Sequence, residues 1–242
     1  MRRCIILSMV AATLLPVVAP AQTGKATTRP PVFTPVFEAK NFPHPTTISN
    51  RYFPLVPGTT FIYEATQGTR EHNVFVVTHD IKKILGVDCV VIRDTALVGG
   101  QVIEDTFDFF AEDKFGNVWY MGEDTKQFKN GVQTGTVGSW QAGVNGAMPG
   151  FAMEAQPLVG DAYRQENSPG VAEDNAQIVD LNGSVAVPYG SFPINVLVTY
   201  EWSALDPKVT EEKDYALDVG LVRATAIKGG GGESVLVAVI HN

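Results

Sequence analysis

Residues 99–131 read GGQVIEDTFDFFAEDKFGNVWYMGEDTKQFKNG and carry the clearest structural signal in this 242-residue chain. The Gly99-Gly100 pair predicts a hairpin turn that leads into a strand from Gln101 to Ala111, where β-branched and aromatic residues are frequent. Residues 113–117 predict a second turn, followed by a strand over Val118–Met121. The Asn130-Gly131 pair is typical of a type I′ hairpin turn. The stretch therefore predicts consecutive antiparallel strands joined by short turns.

The same pattern continues along the rest of the chain. Strands are also predicted at residues 59–64, 73–78, 88–94, 177–181, 185–188, 193–202, 208–215, 221–228 and 234–241. Helical periodicity is scarce, and the glycines and prolines of residues 142–157 predict a long loop. An all-β fold is predicted, in which a meandering antiparallel sheet forms an open or closed barrel, because a flat sheet of this size would expose too many edges. A two-sheet sandwich is the alternative.

The N-terminus predicts export from the cell. Arg2 and Arg3 precede a nearly continuous apolar segment over residues 4–18, and Ala19-Pro20-Ala21 has the small residues that signal peptidase recognises. Residues 1–21 are therefore predicted to be a signal peptide, since the apolar segment is too short for a membrane span.

The remaining chain is predicted to have two parts. Residues 22–49, rich in proline and threonine, predict an extended leader, and residues 50–242 predict a single β domain. A periplasmic or secreted location without a membrane span follows from this organisation.

The charge balance argues against some partners. The chain has 18 Lys and Arg residues against 26 Asp and Glu residues, a formal net charge of −8 at pH 7, and signal cleavage would remove two of the arginines. An acidic protein of this kind is not expected to bind nucleic acid or an anionic membrane surface through its charge. Cys89 would be the only cysteine left, so no internal disulfide is predicted, and its alternating apolar neighbours predict a buried thiol.

Acids interleaved with aromatic residues predict a site for a polar ligand, because aromatic rings shape a pocket and carboxylates orient what binds there. On a strand, Glu104 and Asp108 share one face, and one of the consecutive residues Glu123 and Asp124 must point inward. Arg164 could pair with such a carboxylate or with an anionic ligand. The predicted ligand-binding residues are Glu104, Asp108, Trp119, Glu123, Asp124, Trp140, Tyr163 and Arg164. The alternative is that these acids lie at strand ends, in solvent or bonded to backbone donors.

The sequence predicts no catalytic residue and leaves the cofactor unknown. Calcium is the candidate cation, because converging carboxylates suit a hard ion, although the chain has no Asp-x-Asp-x-Asp-Gly loop. The four histidines lack the spacing of zinc ligands. A Gly-x-Ser-x-Gly nucleophile motif is absent, whereas two acids across a cleft would be sufficient for a glycosidase.

Residues 52–64 (YFPLVPGTTFIYE) resemble the opening of an uncharacterised family of secreted bacterial β-rich proteins. Further segments similar to that family lie at residues 85–89, 104–108, 122–125 and 187–192. This resemblance covers most of residues 50–225. More distantly, the meander and residues 187–190 are similar to periplasmic half-barrels of the lipoprotein-carrier type, which hold acyl chains against a concave apolar sheet. The resemblance implies compartment and fold, and the many carboxylates depart from the pattern of an acyl-chain carrier.

Together these observations predict a secreted or periplasmic, non-catalytic binding protein for a small or polymeric polar ligand. One alternative is an extracellular enzyme that uses a metal ion or a pair of carboxylates on a polar substrate. Another is a structural module of the cell envelope whose acids only maintain solubility. Acids gathered in a water-excluding pocket would favour the enzyme, and acids spread over the outer surface would favour the structural module.

Overall fold

The computed structural model describes residues 29–230 and 232–241, which form fifteen β-strands and one turn of 3-10 helix at Ala39–Asn41. The strands are β1 (Thr59–Gln67), β2 (Glu71–Ile84), β3 (Val87–Val98), β4 (Gln101–Glu112), β5 (Val118–Lys129), β6 (Val132–Gly135), β7 (Trp140–Gln141), β8 (Met148–Met153), β9 (Ala162–Arg164), β10 (Glu166–Asn167), β11 (Asp174–Val187), β12 (Gly190–Ser203), β13 (Asp206–Ala216), β14 (Gly220–Lys228) and β15 (Glu233–His241). This part of the chain contains no helix long and apolar enough to cross a membrane. The predicted signal peptide lies outside the described residues.

All fifteen strands belong to one antiparallel sheet. Strands β1 to β5 are neighbours in chain order, as are β11 to β15, and β1 pairs with β15 where the two series meet. Beyond β5 the sheet continues through β8 to β10, and beyond β11 it ends at β9; β6 and β7 also pair with β5. The predicted all-β meandering antiparallel sheet is therefore confirmed, as one sheet rather than a two-sheet sandwich.

The sheet curls around its own interior without closing. Its two outermost strands, β9 and β10, are separated in the chain by Gln165 alone, so the two edges lie close together. Gly150 of β8 permits this approach, because a Cβ atom there would clash with the carbonyl oxygen of Arg164. No ladder joins β9 to β10 among the described residues, and the sheet is an open half-barrel.

Aromatic side chains fill one end of the interior. Phe53, which precedes β1, packs against Phe110 of β4 and Tyr215 of β13, with ring centroids 5.4 and 6.4 Å apart. Phe110 also stacks on Tyr120 of β5 at 4.7 Å. Because these residues come from strands on both halves of the sheet, their burial holds the curled shape together.

The segment before β1 is bound to the sheet. Phe33 forms backbone hydrogen bonds of 2.9 Å with both Ala162 and Arg164 of β9. The carboxylate of Glu112 accepts hydrogen bonds from the backbone N–H groups of Ser49 and Asn50, at 2.6 and 2.8 Å. Residues 33–50 therefore contact both sides of the half-barrel.

Several strands are longer than the sequence predicted, with β5 reaching Lys129 rather than Met121, and two further differences have a clear cause. Strand β8 lies within residues 142–157, where glycines and prolines predicted a loop; its residues pair with both β5 and β10 despite containing Pro149 and Gly150. The two strands predicted at 177–181 and 185–188 are one strand, β11, whose pairing with β12 has register shifts over residues 178–185. Local sequence signalled these irregularities as breaks, whereas long-range pairing keeps the strands continuous.

Cys89 of β3 is fully buried in the hydrophobic core, as its neighbours predicted. Burial raises the pKa of its thiol to about 12, so almost no reactive thiolate forms at neutral pH. We expect a disulfide reagent such as Ellman's to label native protein slowly and denatured protein at once. Native labelling as fast as that of the denatured chain would contradict this packing.

Candidate functional site

Polar side chains line the interior next to these aromatic rings. On β4, Glu104, Thr106 and Asp108 alternate with outward-facing residues and are buried on the inner face. Asp108 lies directly across from Glu123 of β5 in the strand pairing. Strands β4 and β5 therefore carry carboxyl groups into the interior.

Asp108 and Glu123 share one phenol. The hydroxyl of Tyr120 lies 2.5 Å from Oδ1 of Asp108 and 3.0 Å from Oε2 of Glu123. A phenol has a single proton to donate, so its contact with the second carboxyl is a hydrogen bond only when that carboxyl is protonated. Burial raises the pKa of Glu123 to about 7, and burial together with the charge of Glu123 raises the pKa of Asp108 well above its ordinary value.

A second pair of acids adjoins the first. The indole N–H of Trp140 donates a 2.9 Å hydrogen bond to Oε1 of Glu166, and the Trp140 ring contacts that of Tyr120 edge to face. Burial, followed by the charges of Asp174 and Glu123, raises the pKa of Glu166 well above its ordinary range. The charge of Glu123 therefore opposes ionisation of both Asp108 and Glu166, and the charge of Asp174 opposes ionisation of both Glu123 and Glu166.

The opposite wall supplies a lysine. Lys213 of β13 is fully buried, with its Nζ atom 2.9 Å from Oε2 of Glu201 and 3.8 Å from Oε2 of Glu211. Thr199 and Tyr215 each donate a 2.9 Å hydrogen bond to Oε1 of Glu201. The Glu201 carboxylate is thus held by three donors from β12 and β13.

The charge of Asp174 acts on acids of both halves of the sheet, namely Glu123 of β5 and Glu211 of β13. Burial raises the pKa of Glu211 to about 7; the Lys213 charge acts to lower it, and the charges of Glu201 and Asp174 act to raise it. The same Asp174 raises the pKa of Glu123 and Glu166. We refer to Asp108, Glu123, Glu166, Asp174, Glu201, Glu211 and Lys213 as the interior acid cluster.

A short loop forms the rim of this cluster. Ser139 is bonded through Oγ to the backbone of Thr125, at 2.8 Å from its N–H and 3.1 Å from its carbonyl oxygen. A Cβ atom at Gly138 would lie 2.7 Å from Oε1 of Glu123, so the loop passes directly against that carboxyl. Glu123 is only partly buried, and it is the cluster's acid nearest this loop.

The structure brings together four of the eight residues predicted to bind a ligand. Glu104, Asp108, Glu123 and Trp140 lie at or beside the interior acid cluster. Glu104 accepts a 3.2 Å hydrogen bond from Gln127 and acts on Glu123 through its charge.

The other four predicted residues lie elsewhere. The indole N–H of Trp119 donates a 2.9 Å hydrogen bond to Oδ2 of Asp113. Asp124 is half exposed on the outer face, where its Oδ2 atom lies 3.7 Å from Nζ of Lys126. Tyr163 is buried against Phe33 and Phe151, and its hydroxyl forms no hydrogen bond with the described residues. Arg164 donates to the carbonyl oxygen of Glu173 at 3.2 Å.

Sequence reasoning missed the wall that carries the lysine. Glu201, Glu211 and Lys213 were not among the predicted site residues. A signal was present, because every second residue of a strand lies on the same face. Glu201 thus shares the buried face of β12 with Leu197 and Thr199, and Lys213 shares that of β13 with Glu211 and Tyr215. A charged residue in the register of buried positions indicates an interior polar group.

Within the described residues, no group of three or more His, Cys, Asp and Glu side chains has an arrangement that could hold a metal ion. Calcium binding therefore stays a prediction from the sequence. The cluster's carboxyl groups can instead share protons and accept hydrogen bonds from a ligand.

No protein family model and no curated protein matches the chain. Among solved structures, one similar chain is a Bacteroides fragilis protein described as exported, with a YmcC-like fold: the TM-score is 0.44, the identity is 15%, and the match covers 79% of this chain and 99% of that one. Another is described as a lipoprotein of Parabacteroides distasonis, with a TM-score of 0.37, 12% identity and the same coverages. Similarity at this level assigns neither an activity nor a ligand to the present protein.

Proposed function

We propose that the protein is a non-catalytic binding protein of the periplasm or cell exterior, which takes a small amine-bearing ligand at the interior acid cluster. The location is supported by the charged and apolar start of the sequence and the Ala19-Pro20-Ala21 pattern that follows it. The ligand class is supported by the composition of the cluster. A rigid antiparallel sheet holds these side chains in place, which suits binding to a preformed site.

The observation that carries the proposal is the imbalance of charge within the cluster. Six carboxyl groups and one lysine face one another in the interior. Carboxylates removed from water are unstable without a cation or a proton, and Glu123 and Glu211 respond with raised pKa values. A ligand ammonium group would replace those protons and donate hydrogen bonds to several carboxylates at once.

The test uses calorimetric titration of the full mature chain with spermidine, cadaverine and glucosamine, with glucose as an uncharged comparison. At least one amine is expected to bind and to raise the melting temperature, since a ligand that binds only the folded state stabilises it. Titration in two buffers of different ionisation enthalpy should show protons released on binding. The release is expected because the amine displaces protons from carboxyl groups.

Two neighbouring residues provide the variant and its control. Glu123→Gln keeps the size of the inward side chain but removes its charge, and should weaken amine binding by about tenfold or more. Asp124→Asn makes the same chemical change on the outer face and should leave binding unchanged. If no amine binds wild type, or if both variants bind equally well, the acid cluster is not a ligand site.

One observation favours an enzyme as the second candidate. Asp108 and Glu123 both contact the hydroxyl oxygen of Tyr120, at 2.5 and 3.0 Å. The carboxyl oxygens that make these two contacts are therefore at most about 5.5 Å apart. Carboxyl groups about 5 Å apart are typical of glycosidases that retain anomeric configuration. Hydrolysis of aryl glycosides by wild type, lost in Asp108→Asn, would favour this activity over simple binding.

A further inference from the structure

A groove on the outer face of the sheet is separate from the interior acid cluster. It has a volume of about 670 Å³, and its lining includes Arg93, Gln101, Asp105, Phe128, Asn130 and Gly131. Asp105 lies between the inward-facing Glu104 and Thr106 on β4, so its side chain points to the opposite side of the sheet. Any ligand of the groove would therefore bind independently of the interior acid cluster.

A fixed ion pair forms the polar floor of the groove. Nε and Nη2 of Arg93 donate hydrogen bonds of 2.8 and 3.1 Å to the two carboxylate oxygens of Asp105, and Thr95 donates a third at 3.0 Å. Two parallel bonds of this kind hold the guanidinium and carboxylate in one plane. The charges of the pair offset each other, while about half of the Arg93 side chain stays exposed and retains N–H groups for a ligand.

Two hairpin turns lie beside the groove. Gly99 and Gly100 both have positive φ values, and so do Asn130 and Gly131, as two-residue type I′ hairpin turns require. Gln101 directly follows the first turn, and Phe128 lies just before the second. The Gln101 amide and the Phe128 ring line the groove together with the ion pair.

We propose that this groove is a second binding site, which recognises a neutral oligosaccharide. Gln101 and Asn130 can each bond two neighbouring hydroxyl groups of a sugar, and the N–H groups of Arg93 that do not bond Asp105 can donate to another. The ring of Phe128 provides an apolar surface for the C–H face of a pyranose. A groove without excess charge suits an uncharged ligand, and an open groove accommodates a chain of sugar units longer than the site.

The experiment is calorimetric titration of the mature protein with cellohexaose, xylohexaose, maltohexaose and chitohexaose. At least one of these oligosaccharides should bind. Phe128→Ala should weaken that binding by about tenfold or more, as loss of an aromatic contact at a site's centre does. Arg93→Lys keeps the charge but loses the planar fork, and should weaken binding by a similar factor.

Matched controls separate this site from the rest of the molecule. Phe115→Ala removes a phenylalanine that is exposed in the β4–β5 turn, outside the groove, and should bind the oligosaccharide like wild type. Glu123→Gln alters the interior acid cluster and should also leave this binding unchanged. The proposal is overturned if none of the four oligosaccharides binds, or if Phe128→Ala binds as tightly as Phe115→Ala.

Discussion

Replacing Lys213 by methionine is expected to lower the free energy of unfolding by about 3–5 kcal/mol at pH 8, because removal of one partner leaves buried charge uncompensated. Lys213 is fully buried, and its ammonium group lies 2.9 Å from Glu201 and 3.8 Å from Glu211. Methionine has a similar length, so little packing volume is lost. The expected loss is therefore electrostatic rather than a consequence of a cavity.

Urea unfolding of wild type and Lys213→Met at pH 8 and pH 5 measures this effect. The loss should be smaller at pH 5, where neighbouring carboxyls such as Glu211 can take up a proton and become neutral. Lys126→Met is the control, since Lys126 is partly exposed and lies 3.7 Å from Asp124; it should cost no more than about 1 kcal/mol.

The double variant Lys213→Met/Glu211→Gln should recover part of the stability lost at pH 8, because it removes one of the carboxylates that the lysine compensates. Equal losses for Lys213→Met at the two pH values would indicate a packing effect. Such a result would mean that Lys213 does not balance the acids around it.

The hairpins could be predicted from the sequence because their signals are local. Gly99-Gly100 and Asn130-Gly131 supply the positive φ values of two-residue turns, and the structure has turns at both positions. Strand β8 could not be predicted in this way, because Gly150 is required by the approach of Arg164 from the distant edge of the sheet. That requirement arises from the curl of the whole sheet and leaves no periodic pattern in residues 148–153.

Part of the candidate site was predictable from the sequence, on strands β4, β5 and β7. Glu104 and Asp108 share a face by alternation alone, and both lie in the interior. The approach of Glu166 and Asp174 depends on how the two ends of the sheet curl towards each other, which pairing of neighbouring strands does not determine. Lys213 is a different case, since its partner Glu201 lies twelve positions earlier on the neighbouring strand, and the β12–β13 pairing itself brings the two together.

Stability is expected to fall as pH rises from about 5 to about 8. A glutamate carboxyl in the unfolded chain has an ordinary pKa of 4.5, and burial raises the pKa of both Glu123 and Glu211 to about 7 in the folded protein. Between these values the folded state binds protons that the unfolded chain has released. Each group therefore contributes stability that is complete below its unfolded pKa and is lost as pH rises through its folded pKa.

The magnitude follows from the size of the shift. A displacement from 4.5 to about 7 corresponds to roughly 3 kcal/mol for each group, as an upper value. Because Asp174 acts on both carboxyls, their contributions are coupled and should sum to less than twice that amount. The exposed Asp218 and Glu38 have lowered pKa values, so they would change the stability only at a pH below this range.

Urea unfolding at pH 5, 6, 7 and 8 measures this dependence, with Glu123→Gln and Asp124→Asn as a matched pair of variants. Glutamine keeps the shape of the inward side chain but cannot ionise, so Glu123→Gln should flatten the decline in stability. Asp124 is half exposed on the outer face, and its replacement should leave the decline as steep as in wild type. Stability that is constant or rises between pH 5 and pH 8 would show that the interior acids are ionised without cost, and a cluster of that kind would have no protons for an amine ligand to displace.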